Sequence, residues 1–335
     1  MFSRVFSPFE GKSLMICAPS RQWVTPTGEV DFALHHRARE AAEALGFEVF
    51  YQPGSFKLEA RFAGDDKMRA QEFVRALETS GMDLVMALRG GYGAARLLAQ
   101  LSESDWARIE ASTTPIVGYS DFTAINLALL ATVQKVSWHG PTLRDLIDPD
   151  PLTLKQLAMV MGLEAWEVDW TVTEHRLESE SERTLPRSPA FKDDYQVITG
   201  PLWGGNLSVL TSLIGTPYFP PIEGGILCLE DIAEPAYRVD RQLIQLYEAG
   251  ILTKQACVVL GEFTGIDKAS AWAEDFSSRS VGETLIRLGV PFVTGCPMGH
   301  QKRKVSLPIG ETVRLSVAQT NEGATRVRMR LANGE

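Results

Sequence analysis

Ser120 stands where a short apolar run, Pro115-Ile116-Val117 followed by Gly118-Tyr119, gives way to a helical pattern running from Asp121 to Leu130. A serine at such a strand-to-helix turn raises its hydroxyl above the sheet edge, beside the positive end of a helix. An acyl-transfer nucleophile needs that position, with backbone N–H groups near for a developing oxyanion. Serine before a helix is also a common N-cap, so the bland reading stands beside the chemical one. The G-x-S-x-G turn of α/β hydrolases is not met, because Phe122 occupies the place of its final glycine.

A nucleophilic serine needs a base, and the base an orienting acid. Of five histidines, His35 and His36 fall inside a helical pattern and His175 in a polar stretch. His139 and His300 each follow a strand-like run and are the two candidate bases. Glu230 ends the apolar run Gly225-Ile226-Leu227-Cys228-Leu229, where a carboxylate must find a partner or suffer desolvation. Asp231 competes for the role of acid, and Glu230 also reads as a helix-start residue. The loop Arg89-Gly90-Gly91-Tyr92-Gly93 follows a strand and precedes a helix. It either brings backbone N–H groups close to an anionic ligand or is simply a tight turn. It lacks a P-loop lysine and the G-x-G-x-x-G spacing, and the chain has no HExxH, Cys/His cluster or aspartate-rich loop. No metal and no cofactor are expected.

The elements that must carry these residues alternate over the first 140 positions. Strand patterns at Ser13–Ala18, Phe47–Tyr51, Leu84–Leu88 and Ile116–Tyr119 are interleaved with helical ones at Asp31–Leu45, Asp66–Ser80, from about Ala94 and from about Phe122 to Ala131. Alternation of this kind predicts a parallel sheet covered by helices on both faces. Its reactive loops lie beyond the strands' carboxyl ends, which singles out Ala18-Pro19-Ser20, Arg89–Gly93 and Gly118–Asp121. A helix at Leu152–Met161 leads into a polar stretch with Pro186 and Pro189. The second half offers helices at Leu207–Ile214 and Tyr237–Ala249, and strands at Ile226–Leu229, Ala256–Leu260 and Phe292–Thr294. Half-exposed alternating strands at Thr312–Val317 and Thr325–Leu331 follow. The fold class is therefore α/β, with a parallel-sheet N-terminal domain at 1–150, a connector at 151–195 and a mixed, β-rich C-terminal domain at 196–335. The connector is either a solvated linker or, over 164–195, a lid.

Composition agrees with this and removes other classes. With 335 residues, 44% hydrophobic, the chain is long enough for two packed cores and too apolar for disorder. A net charge of −9, with no basic run longer than Gln301-Lys302-Arg303-Lys304, argues against nucleic acid. Cys17, Cys228, Cys257 and Cys296 form no CxxC pair, and three of them lie in apolar runs, so reduced thiols and a cytoplasmic address are expected. The first twenty residues hold no apolar stretch fit for a signal peptide or a membrane span.

Nine segments carry a family resemblance: APS at 18–20, RGGYGAARLL at 89–98, GYSDFTAINLAL at 118–129, WHGP at 138–141, GPLWGGNLSVLTSLIGTPY at 200–218, ILCLEDIAEPAYRVDRQLIQLYEAGIL at 226–252, VVLGEFTG at 258–265, GH at 299–300 and LPIG at 307–310. In this order the chain resembles the LD-carboxypeptidase family of serine peptidases, which includes muramoyltetrapeptide carboxypeptidases and microcin immunity-type hydrolases. The WHGP, GPLWGGNL and EDIAEPAYRVDRQL blocks resemble the tetrapeptide branch more closely. The resemblance implies a Ser120–Glu230–His300 triad and so chooses His300 over His139. It implies an oxyanion hole made by the Asp121 N–H and one from Gly90 or Gly91, and a flavodoxin-like N-terminal domain. The site would lie between the two domains, with Arg89, Tyr92, Trp203 and Asn206 as substrate-lining candidates. The implied substrate is a murein tetrapeptide, cut between diaminopimelate and its terminal D-Ala, in a protein that is commonly a dimer. The alternatives are hydrolysis of a peptidyl- or aminoacyl-nucleotide and non-catalytic binding of an anion or peptide.

Overall fold

The computed structural model describes residues 8–172, 191, 193–265, 280–320 and 323–332, and its chain falls into two compact units. One unit spans Met1–Ala165 and takes back Lys302–Leu307; the other comprises Trp166–Gln301 and Pro308–Glu335.

In the first unit the chain runs β1 (Lys12–Cys17), α1 (Phe32–Ala44), β2 (Phe47–Tyr51), α2 (Asp66–Glu78), β3 (Leu84–Ala87), α3 (Ala94–Leu98), α4 (Glu103–Ala111), β4 (Ile116–Gly118), α5 (Thr123–Val133), β5 (Ser137–His139) and α6 (Pro151–Val160). The strands lie in the order β5-β4-β3-β1-β2, every pair parallel. Read from β2 this is the 2-1-3-4-5 order of flavodoxin-like sheets, whose ligand crevice opens beyond β1 and β3. Burial explains the strand composition. Leu84, Val85, Met86 and Ala87 are all inaccessible to solvent, as a strand covered on both faces must be, so apolar residues run on without alternating. Helix α5 is buried along most of its length and correspondingly apolar. Side-chain caps from Asp31, Asp65 and Ser102 start α1, α2 and α4.

The second unit contains β6 (Glu167–Val172), β7 (Tyr195–Asn206), α7 (Leu207–Ser212), β8 (Ile226–Ile232), α8 (Ala236–Glu248), β9 (Cys257–Thr264), α9 (Ser280–Arg287), β10 (Phe292–Val293), β12 (Thr312–Gln319) and β13 (Thr325–Leu331). The intervening β11 (Leu307–Ile309) starts where the returning segment ends and is the sixth strand of the first sheet, next to β5. The second sheet has the order β10-β9-β8-β7-β12-β13-β6. Strand β7 joins its two halves: residues 195–201 pair antiparallel with β12, and 202–206 pair parallel with β8. On β12 and β13 the alternation expected of half-exposed strands is present, with Val313, Leu315, Val317, Val327 and Met329 inaccessible between exposed or half-exposed neighbours.

Two expectations change, and one strand goes unannounced. Glu230 lies inside β8, and α8 begins only at Ala236, so its helix-start reading is withdrawn. Ser120 is not a helix N-cap: it opens a 3₁₀ turn, Ser120–Phe122, and Phe122 holds the cap position of α5. Strand β7 has no clear sequence signal, because glycines at 200, 204 and 205 interrupt the pattern. Within the stretch read as a connector, α6 and β6 are regular elements. Most of the proposed lid, with His175, lies outside the described residues. All four cysteines are buried and free of disulfides. Burial pushes the Cys17 thiol up to about 12, so it behaves as a core side chain. No helix among the described residues is long and apolar enough to cross a membrane.

Candidate active site

Three loops at the carboxyl edge of the first sheet are tied together by one buried acid. Asp121, 5% exposed, accepts from Ser20 Oγ at 2.6 Å and from the Ala94 N–H at 2.9 Å. It thereby links the loop after β1, the start of α3 and the turn after β4. Burial pushes its carboxyl up, while the Ser20 and Ala94 bonds act in the opposite direction. Arg69, almost fully buried, adds a second tie by donating to the carbonyls of Pro19 and Gly93. The loops that the alternation singled out are thus held by side chains as well as by the strands beneath them.

Ser120 has φ of +64°, in the left-handed region that a residue with a Cβ adopts only when its surroundings impose it. Strand β4 ends at Gly118, Tyr119 continues extended, and the chain turns at Ser120, where the 3₁₀ turn starts. The glycine turn passes directly against the result: a Cβ on Gly90 would stand 2.8 Å from Ser120 Cβ and 2.9 Å from its Oγ. Only glycine leaves this approach open. Ser120 therefore sits in a sharp turn of the kind that presents a nucleophile, built without the final glycine of the hydrolase elbow.

In the second unit, Glu230 and His300 form a pair. Glu230 is inaccessible to solvent, and its Oε2 lies 2.8 Å from Nδ1 of His300, whose side chain keeps 14% of its surface exposed. A buried carboxylate requires such a partner. The strands explain how it is placed. Leu229 pairs with Leu260 and Asp231 with Phe263, so two residues of β9, Gly261 and Glu262, stand opposite Glu230 in a bulge. The loop carrying His300 is fastened to the same strand by the Cys296 N–H on Leu260 (3.2 Å) and the Glu262 N–H on Met298 (3.0 Å). Gly299, at φ of +113°, lets that loop close on Glu230: a Cβ there would stand 3.0 Å from Oε2. Asp231, the competing acid, is otherwise engaged. Its oxygens accept from Asn206 Nδ2, the Ser208 N–H and Ser208 Oγ at 2.7–2.9 Å, at the start of α7. An acid-oriented imidazole of this form can take and return a proton at its other nitrogen.

Both domains of one family match this chain: the LD-carboxypeptidase N-terminal domain over residues 15–140 and its C-terminal domain over 199–315. The chain belongs to the LD-carboxypeptidase family. Among solved structures, the muramoyltetrapeptide carboxypeptidase of Oxalobacter formigenes is 34% identical, with a TM-score of 0.76 over 95% of this chain and 99% of that one. The murein tetrapeptide carboxypeptidase of Pseudomonas aeruginosa is 30% identical over 265 residues, 77% of this chain and 81% of that protein. The microcin C7 self immunity protein, solved in complex with aspartyl sulfamoyl adenosine, is 21% identical with a TM-score of 0.74 over 95% of this chain and 96% of that one, a likeness of fold.

Within this LD-carboxypeptidase fold the other candidates divide. Arg89 is half-buried on the glycine turn, its Nε donating to the Gly90 carbonyl at 2.9 Å. Tyr92 is 54% exposed in the same loop, its ring 5.9 Å from that of Phe62. Trp203 and Asn206 are both buried. Trp203 is inaccessible, donates its indole N–H to Gln255 at 2.9 Å and meets Phe219 edge-on, which makes it a core side chain of its unit. Asn206 is 4% exposed and caps α7 by accepting from the Val209 N–H at 3.1 Å. His139 is buried in β5 with its ring 6.0 Å from that of Tyr119. No group of three or more potential metal ligands occurs among the described residues.

Proposed function

We propose that this chain is a serine LD-carboxypeptidase that releases the terminal D-Ala of murein tetrapeptides, with Ser120 as nucleophile, His300 as general base and Glu230 as its orienting acid. The observation that carries the reading is the bond from inaccessible Glu230 to Nδ1 of a His300 that stays partly exposed. Family membership and the left-handed Ser120 support it, and the names of the Oxalobacter and Pseudomonas relatives supply the substrate class.

His300 Nε2 takes the Ser120 proton as Oγ attacks the carbonyl of the diaminopimelate–D-Ala bond. Glu230 keeps the imidazole in the right tautomer and stabilises its charged form. The oxyanion is met by the Asp121 N–H and one from the Gly90-Gly91 turn, donors whose removal typically costs about 10²–10³ in rate. His300 then protonates the leaving amine, and water, deprotonated by the same imidazole, hydrolyses the acyl-enzyme. Such an enzyme would return tripeptide and D-Ala to the cell in peptidoglycan recycling.

Defined muropeptides incubated with the pure protein and weighed by mass spectrometry test this. Tetrapeptide should lose one alanine residue, and Ser120→Ala should slow that loss by roughly 10⁴-fold or more with the fold intact. Undiminished release by Ser120→Ala removes the assignment. Cleavage of an aminoacyl sulfamoyl adenylate in place of the tetrapeptide would redirect it to the microcin immunity-type substrate.

A further inference from the structure

Three arginines stand on loops at the same sheet edge as Ser120, and among the described residues none of them has a carboxylate partner. Arg21 follows β1, Arg89 follows β3 and Arg144 follows β5, while Ser120 follows β4. All four positions therefore lie beyond the carboxyl ends of parallel strands in one sheet, where ligands gather. Two are fixed near the serine by close contacts through the glycine turn. Arg89 is held to the Gly90 carbonyl at 2.9 Å, and the Gly90 Cα faces Ser120. On the next residue, a Cβ on Gly91 would stand 2.8 Å from Arg21 Cβ.

Among the described residues no ion pair involves Arg21, Arg89 or Arg144. The nearest acid in sequence, Asp145, is already taken by the Thr142 N–H, Thr142 Oγ1 and Lys304 Nζ. Elsewhere in this unit Arg39, Arg69, Arg96 and Arg108 all meet carboxylates. Burial, and then the charges of Arg144 and Arg21, hold the Arg89 guanidinium below its ordinary pKa, with only Tyr119 acting against them. Arg21 and Arg144 are exposed and Arg89 half-buried, so three like charges share one sheet edge, where an anion would relieve them, and a planar guanidinium fits a carboxylate through two parallel hydrogen bonds.

We propose that Arg21, Arg89 and Arg144 form the site for the free carboxylate of the leaving residue, and so make the enzyme a carboxypeptidase and not an endopeptidase. This rests on the reading of Ser120 as nucleophile. Only the amide nitrogen and one Cα separate that carboxylate from the scissile carbonyl, a span of about 3.5 Å. It must therefore be held by groups adjoining the serine, as the glycine turn adjoins Ser120. The other carboxylates of the tetrapeptide, on the γ-linked D-Glu and on the far centre of diaminopimelate, lie further from the reacting bond.

The test separates binding from turnover. Tetrapeptide affinity is measured by calorimetry on the full-length Ser120→Ala chain, alone and with Arg21→Gln, Arg144→Gln or Arg89→Gln added. The ligands are the tetrapeptide, its C-terminal amide, a form with the D-Glu carboxylate amidated and a form with lysine in place of diaminopimelate. Each arginine variant should weaken the parent tetrapeptide, and the D-Glu amide and lysine forms by the same factor, by 10-fold or more. The C-terminal amide should already be weak and should lose little further. Equal losses for acid and terminal amide would overturn the proposal, as would losses that vanish when another carboxylate is removed. Absence of D-Ala release by the wild type would count against the hydrolase reading alone, because affinity is read on a chain that cannot turn over.

Discussion

At Ser120 the backbone is held at φ of +64° and the side chain faces the bare Cα of Gly90, so the room around one hydroxyl is set by the absence of one methyl group. Gly90→Ala is expected to lower kcat by about 10²-fold, because a shift of the order of 1 Å at the reacting atom has that effect. Circular dichroism and the melting temperature should show the fold retained; an unchanged kcat would mean that the position of Ser120 is not critical. Residue types alone narrow the chemistry but not the roles. Glu230 and Asp231 are adjacent and both ionisable, and the difference between them comes from β8: one carboxylate meets His300, the other the start of α7. The partners of Trp203 and Asn206, Gln255 and Val209, are likewise set by a strand that the pattern does not announce.

At the scale of elements, the first sheet is legible because buried parallel strands leave apolar runs and because turns beyond them collect Gly, Ser and Asp. The 3₁₀ turn at Ser120–Phe122 is less so, since capping serines and turn serines share a sequence signature. Helix α1 carries a buried group with a consequence for stability. His35 is 3% exposed, its ring 4.8 Å from that of Trp23, and its Nε2 lies 2.9 Å from Gln22 Oε1. The Gln22 amide nitrogen donates to Ser55 and Lys57 carbonyls, which turns Oε1 toward the imidazole and asks His35 to carry its proton on Nε2. Burial pushes the His35 pKa down from 6.5 to about 4, against the opposing charge of Asp31. Between those values the unfolded chain binds a proton that the folded chain refuses. Its contribution is thus complete above about 6.5 and falls away as pH drops toward 4, by at most about 1.4 kcal/mol per pH unit. Urea titrations at pH 7 and pH 5 should show a shallower loss for His35→Gln than for the wild type; equal losses would place the titration elsewhere.

At the scale of the molecule, two sheets built on different rules share one chain. The first, wound as 2-1-3-4-5, follows from the βα alternation, and its order fixes which loops meet at one edge. The second depends on pairings between residues far apart in sequence. Strand β7 meets β12 more than a hundred positions away, and β12 is reached only after the chain has revisited the first unit at Lys302–Leu307. Local patterns carry no trace of such pairings, which is why the mixed character of this half was legible and its strand order was not. The residues of the proposed triad divide in the same way, Ser120 falling in one unit and Glu230 and His300 in the other.

A serine-directed fluorophosphonate, with the adduct located by peptide mass spectrometry, tests that partnership most directly. The wild type should acquire one label, on Ser120, and His300→Ala should label at least about 10³-fold more slowly with an unchanged melting temperature. Labelling of Ser120 at an undiminished rate in His300→Ala, or a label on any other serine, would contradict the account.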